Sequence, residues 1–313
     1  MATYLVTGGA GFIGSNLVEA LLNGGHEVRV VDNFSTGRRE NLAPFSKHIK
    51  LYELDIASPD GLGEAFQGVD YVLHQAALPS VPRSIEDPIG TFRSSVEGTL
   101  NVLEAARAVG VKKLVFASSS SIYGSNPELP KRESMNPAPL SPYAASKLAA
   151  ETYCQVYCRV YGLPTVSLRY FNVFGPRQDP DSQYAAVIPK FIRAALLDET
   201  LTVYGDGEQS RDFTYVSNVV AANVLAAESD AGVGEVFNFA CGDRITLNGM
   251  IGVLEEFVGR ELKKRYDPPR PGDVPHSQAD ISKFRTTLGF EPAVSFRQGL
   301  RKTFDYFKKI FSG

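Results

Sequence analysis

The run TYLVTGGAGFIGS, residues 3–15, constrains this chain more than any other stretch. An apolar, β-branched segment passes without a linker into glycines at 8, 11 and 14, and FIGSNLVEALL then shows the apolar spacing of a helix. Without side chains, Gly8 and Gly11 let the turn approach a pyrophosphate, whose charge meets the free amides and positive dipole end of the helix. Gly14 lets that helix pack closely on the strand. The next apolar strand, VRVVD, ends in Asp32 with Asn33 beside it. A carboxylate about twenty residues after such a turn accepts hydrogen bonds from adenosine ribose hydroxyls and repels a phosphate there, which predicts NAD rather than NADP. Arg38 and Arg39 are the counter-signal.

The first half continues as IKLYEL, DYVLH, a long helical pattern through about Ala108, KLVFASS, and a helix from Pro142. Near-continuous apolar strands separated by helices require a parallel sheet covered on both faces, so the expected fold is doubly wound α/β. After TVSLRYFN the texture shifts to Gly- and Pro-rich loops such as GPRQDPDSQ, VYGDGEQSRDF and DPPRPGDVPHSQ. Residues 1–172 are expected to form the dinucleotide-binding domain, with segments near 213–240 returning to it. Residues 173–313 are expected to form mainly a smaller, partly interleaved α/β lobe for substrate, with a cleft between the two.

At 313 residues, 43% hydrophobic and 21% charged, the chain can bury a large core. Its net charge of -3 gives no reason to expect nucleic acid. MATYLVTGG carries no basic leader, and no window reaches bilayer-spanning length, so a cytoplasmic protein without a membrane partner is expected. Cys154, Cys158 and Cys241 are odd in number and lack CxxC, and the histidines at 26, 48, 74 and 276 are scattered; neither a disulfide framework nor a metal site is expected.

SPYAASK places Tyr143 and Lys147 four apart on one face of a helix. A free phenol has a pKa of about 10, so a tyrosine base at neutral pH needs about 4 kcal/mol of differential stabilisation of its phenolate. The ammonium of Lys147 and a positive nicotinamide ring together can supply it.

The glycine spacing is GxxGxxG. With YxxxK and the strand ends it resembles the extended short-chain dehydrogenase/reductase family, and the resemblance runs over nearly the whole chain. It implies that Phe12 and Ile13 join the glycine loop at the cofactor. Asp55 and Ile56 of LDI would stand by the adenine, and HQAA, His74 to Ala77 including Gln75 and Ala76, would line the pyrophosphate and ribose. SSVEGT departs from the family in having Ser95 where Asn is usual. Ser119 of KLVFASSSSIYG would be the hydroxyl that holds the reacting oxygen. Dehydratases of the family carry Asp and Glu where Ser120 and Ser121 stand here, so elimination lacks its carboxylates and hydride exchange at one carbon remains.

RYFNVFGPRQDP resembles the UDP-sugar 4-epimerases, which would set Tyr170 and Phe171 near the nicotinamide and Asn172 on the diphosphate. Arg211 and Arg270 match the family's phosphate-binding arginines, Asp273 its uridine-ribose carboxylate, and Arg177 a further phosphate partner. Ser277, just beyond RPGD, falls where a small residue admits N-acetylhexosamines. The resemblance therefore implies an NAD-retaining UDP-hexose 4-epimerase acting on UDP-GlcNAc and UDP-GalNAc besides UDP-glucose and UDP-galactose. UDP-glucuronate 4-epimerase and a net NAD-dependent dehydrogenase stand as alternatives. It also implies a homodimer joined through a four-helix bundle of the helices after His74 and after Pro142.

Overall fold

The computed structural model describes residues 1–180, 186–269 and 274–311. Strands β1 (Thr3–Thr7), β2 (Glu27–Val31), β3 (Ile49–Tyr52), β4 (Tyr71–His74), β5 (Lys113–Ser119) and β6 (Thr165–Tyr170) form one parallel sheet with a late strand, Val236–Phe239. The order is Val236–Phe239, β6, β5, β4, β1, β2, β3. Chain order therefore reverses between β1 and β4, and in an open parallel sheet the crevice for a ligand lies at that switch point, beyond the carboxyl ends of the strands. Register then decides what meets there. Thr7 pairs with both Val31 and His74, so Gly8, Asp32 and Gln75, one residue further along each strand, arrive level.

Period-two alternation sends Tyr4 and Val6 to one face of the sheet and Leu5 to the other. Helix α1 (Phe12–Asn23) covers the first face through Leu17, Val18 and Leu21 beside Val219, Ala222 and Ala226 of helix Val216–Glu228. Helices Gly98–Val109 and Pro142–Tyr161 cover the second through Val102, Leu103, Ala106, Ala150 and Cys154. The first core continues into Ile188, Phe191 and Leu254 of the smaller lobe. That lobe is built from helices Val187–Leu197, Leu247–Val258 and Phe296–Phe311 around the parallel pair Leu201–Tyr204 and Lys264–Asp267.

One element departs from expectation. The single long helix after His74 is broken into Val81–Glu86, Pro88–Phe92, a π-helical turn at Arg93–Glu97, and Gly98–Val109. Pro88 cannot donate to a preceding turn, and the Asp87 side chain instead caps Gly90 N–H at 2.9 Å. The helix Pro142–Tyr161 begins as its sequence dictates, with Ser141 accepting from Ala144 N–H at 3.2 Å and Pro142 at the first position. Among the described residues no helix is long and apolar enough to cross a membrane.

Candidate active site

A cleft of about 650 Å³ opens at the switch point. It is lined by Gly8, Gly11, Phe12, Ile13, Gly14, Asp32, Asn33, Asp55, Ile56, Gln75, Ala76, Ala77, Tyr143, Lys147 and Tyr170, as expected for the cofactor, whereas Phe171, expected beside the nicotinamide, is fully buried against Ile122 and Tyr123 and does not reach it. Gly8 and Gly14 are required sterically. Gly8 has φ +68°, and a Cβ there would sit 2.8 Å from the Ala76 backbone; a Cβ on Gly14 would sit 2.1 Å from the Gly8 carbonyl oxygen. No side chain caps the first turn of α1, so its amides face the cradle.

Asp32 is buried, and its two oxygens accept Ala10 N–H at 2.9 Å and Phe34 N–H at 2.8 Å. Burial raises its pKa while these donors offset part of the rise. Each oxygen keeps a second lone pair for a ribose hydroxyl. Arg38 and Arg39 are engaged with Asp179 and Glu53, each at 2.6 Å, rather than standing free to receive a 2′-phosphate. The cradle, the acid and the cleft's extent from Asp32 to Tyr143 fit NAD.

His74 does not line the cleft as HQAA suggested; it is buried beneath it. Its Nδ1 lies 2.6 Å from Thr7 Oγ1 and its Nε2 lies 3.0 Å from Thr99 Oγ1. Thr99 already donates to the Ser95 carbonyl and Thr7 accepts from Ala76 N–H, so the consistent assignment is Thr7 donating to Nδ1 and Nε2–H donating to Thr99. Burial, then the nearby Lys147, lowers this imidazole to about 3, which keeps it neutral. Ser95, at the family's Asn position, is buried and does not line the cleft.

At the other end, Ser119 closes β5 directly after Ala117 and Ser118, which line the cleft. Its oxygen accepts Ser121 O–H at 2.9 Å and Ser121 N–H at 3.2 Å. Its own proton is thereby directed to the Tyr143 phenol, whose ionisation this bond favours against the larger, opposing effect of burial. Lys147 is buried, donates to the Ala117 carbonyl at 2.8 Å and is lowered to about 8 by burial. Tyr170 is oriented by Asn223, whose Nδ2 donates to its hydroxyl at 2.8 Å.

A second cleft of about 290 Å³ lies in the smaller lobe and includes Asn172, Lys190, Phe191, Tyr204, Arg211 and Phe213. Asn172 has φ +36° and donates through Nδ2 to the Asp212 carbonyl and to Ser277 Oγ, both at 3.1 Å. Arg211 donates to the Ser210 and Pro275 carbonyls at 3.0 and 2.9 Å. Arg177 is a correction: it pairs with Glu19 at 2.6 Å and lines the first cleft, away from Arg211. Arg270 and Asp273 lie outside the described residues. Ser120 and Ser121 occupy the turn after β5 and line neither cleft. Reading the sequence missed Ser35, Thr36, Asn41, Ser80 and Arg83 on the cleft wall, since nothing in loop spacing signals which loop folds over the strand ends. Among the described residues no cluster suited to a metal occurs.

A doubly wound fold with this cradle and a Ser–Tyr–Lys end defines an NAD-dependent short-chain oxidoreductase scaffold. The model of the NAD dependent epimerase/dehydratase family matches residues 4–240, and the chain belongs to that family. It is similar to the UDP-N-acetylglucosamine 4-epimerase of Methanobrevibacter ruminantium, solved with UDP-N-acetylmuramic acid (42% identity, 99% of each chain, TM-score 0.94). The Thermus thermophilus UDP-glucose 4-epimerase, solved with NAD, is 42% identical over 98% of this chain and 99% of its own, with a TM-score of 0.89. A UDP-glucuronate 4-epimerase of Thermodesulfobacterium geofontis is 38% identical over 99% of this chain and 97% of its own. The chain is thus an NAD-dependent enzyme of the UDP-sugar 4-epimerase group.

Proposed function

We propose that the protein inverts C4 of UDP-hexoses through a transient 4-keto sugar, accepting UDP-GlcNAc and UDP-GalNAc besides UDP-glucose and UDP-galactose. The observation that carries this is the Ser119–Ser120–Ser121 run beside Tyr143 and Lys147: a hydroxyl and a phenol stand ready for proton transfer, and no carboxylate occupies the two positions after Ser119. Gly8, Gly11, Gly14 and Asp32 would hold NAD in the first cleft, where it would supply reversible hydride exchange with either face of C4. Tyr143 takes the proton of the 4-hydroxyl and gives it back, while Ser119 holds that oxygen. Burial keeps the phenol up and Ser119 offsets only part of this, so the chain alone leaves Tyr143 protonated at neutral pH. The buried cation of Lys147 supports the ionised form during turnover.

The second cleft, with Arg211 and Asn172, takes the UDP; Arg270 and Asp273 are assigned to the same ligand. In this division, residues 1–172 mainly serve the dinucleotide and 173–313 the sugar nucleotide. The small Ser277, held by Asn172, leaves room beside C2 for an N-acetyl group. UDP-glucuronate is the less favoured substrate because Asn172 stands where a Thr is expected for it.

The protein is further proposed to pair with a second copy. Helices Val81–Glu86 and Pro88–Phe92 pack against Pro142–Tyr161, and together they expose Ile85, Ile89, Phe92, Val156 and Val160. An exposed apolar surface of this kind marks an interface. The helix Gly98–Val109, by contrast, turns Val102, Leu103 and Ala106 into the core.

The test is incubation with UDP-GlcNAc and UDP-glucose, without added cofactor and then with NAD, followed by NMR of the sugar ring. The C4 epimer is expected from both. No product from either would remove the assignment, and steady accumulation of NADH would turn it into a net dehydrogenase.

A further inference from the structure

Behind the reacting groups, and lining neither cleft, Glu151 and Arg169 form a buried ion pair. Glu151 follows Lys147 by one turn and Tyr143 by two, on the same helix face. Its two oxygens accept Arg169 Nη2 at 2.7 Å and Nε at 3.0 Å, a bidentate fork, and one also accepts Ser118 O–H at 2.6 Å. The remaining arm of Arg169 donates to the Tyr123 hydroxyl at 2.7 Å, and Tyr123 donates to Asn238 Oδ1 at 2.6 Å.

Each attached residue is the immediate support of part of the site. Ser118 precedes Ser119. Tyr123 closes the turn that carries Ser120 and Ser121, and Arg169 precedes Tyr170 in β6. Asn238 lies in the late strand and ties the cluster, through the Lys131 carbonyl at 2.8 Å, to the segment that bridges Ala279.

We infer that the Glu151–Arg169 pair is a positioning unit that fixes Ser119, Tyr143 and Lys147 relative to one another; this rests on the Ser–Tyr–Lys chemistry proposed above. Stability alone does not explain the pair, because a buried ion pair is commonly matched or bettered by apolar residues of similar volume. Apolar packing lacks what the fork has, which is direction. One planar guanidinium holds the catalytic helix, the turn after β5 and the end of β6 at set angles, and a misplacement of about 1 Å at reacting atoms costs on the order of 100-fold in rate.

Single substitutions would strand a buried charge, so the experiment is the paired variant Glu151→Leu with Arg169→Met. It is expected to fold cooperatively, to retain NAD and to keep KM for UDP-glucose within about threefold, while kcat falls about 30-fold. A folded paired variant with kcat within about threefold of wild type would overturn the inference, because a purely stabilising pair leaves kcat of the folded protein unchanged. Should the paired variant not fold, Ser118→Ala takes its place, since it keeps the ion pair and cuts its link to β5. A loss of about tenfold in kcat is then expected and an unchanged kcat is the contrary result.

If the wild-type protein turns over no UDP-sugar, it is the functional reading that fails. The positioning unit is then judged by the phenolate absorbance of Tyr143 in the NAD-loaded protein, measured against Tyr143→Phe. Displacement of its titration by about one unit or more in the paired variant supports the unit, and an unmoved titration refutes it.

Discussion

The Lys147 ammonium donates to the Ala117 carbonyl, 2.8 Å away, two residues before the strand ends in Ser119. Together with the bond from Ser118 to Glu151 at 2.6 Å, this contact ties the helix of Tyr143 to the strand of its partner hydroxyl.

That ammonium is costly. Burial lowers Lys147 from 10.5 to about 8, equivalent to about 3 kcal/mol against the folded state while both states carry the proton. Below pH 8 the penalty is complete; between about 8 and 10.5 the folded chain sheds the proton, the unfolded one keeps it, and stability from this group rises with pH. Lys147→Met loses about 1 kcal/mol of hydrogen bonding, so it should be about 2 kcal/mol more stable than wild type at pH 7 and lose that advantage by pH 10. Denaturant titrations at the two pH values would show it, and a destabilised variant at pH 7 would contradict the burial cost.

Tyr143→Phe removes the phenol oxygen and little else. Turnover should fall by about 1,000-fold or more, the range expected for loss of a general base, while NAD stays bound. Rate and cofactor content measured on the same preparation separate this from misfolding.

Ser277→Tyr should suppress N-acetylated substrates by about 100-fold while UDP-glucose turnover changes little, because the added ring fills the space beside C2. Since Asn172 donates to Ser277, the variant also tests whether that bond matters: a uniform loss on all sugars would indicate damage to Asn172 rather than a gate.

Gly14→Ala places a methyl 2.1 Å from the Gly8 carbonyl oxygen, which is backbone and cannot rotate away. A cost of about 3 kcal/mol and loss of NAD are expected, read by thermal unfolding and cofactor absorbance. Wild-type NAD content would show that the turn relaxes.

Charged residues at the exposed apolar face should abolish self-association without touching the clefts. Ile89→Asp with Val160→Asp is expected to sediment as a monomer and the wild type as a dimer; a monomeric wild type would remove the second copy from the reading.

The sequence alone determined the parallel sheet, the glycine cradle with Asp32, and the Tyr143–Lys147 helix face, because each depends on residues close in the chain. Near-continuous apolar strands, a capped helix and a turn that excludes Cβ atoms are local requirements, and local requirements are written in order. The broken helix at Asp87–Pro88 was also local and lay in the proline, though its apolar periodicity masked it.

Tertiary structure decided the rest. His74 and Gln75 are neighbours in sequence, yet the first ends β4 buried in the interior and the second, one residue past the strand, lines the cleft. Arg177 looked like a phosphate ligand until folding brought Glu19, 158 positions away, to within 2.6 Å. Glu151 and Arg169 read as ordinary charges on a helix and a strand. Only the packing of that helix on the sheet reveals that they face each other in the interior of the protein, where a charge must find its partner or not be there at all.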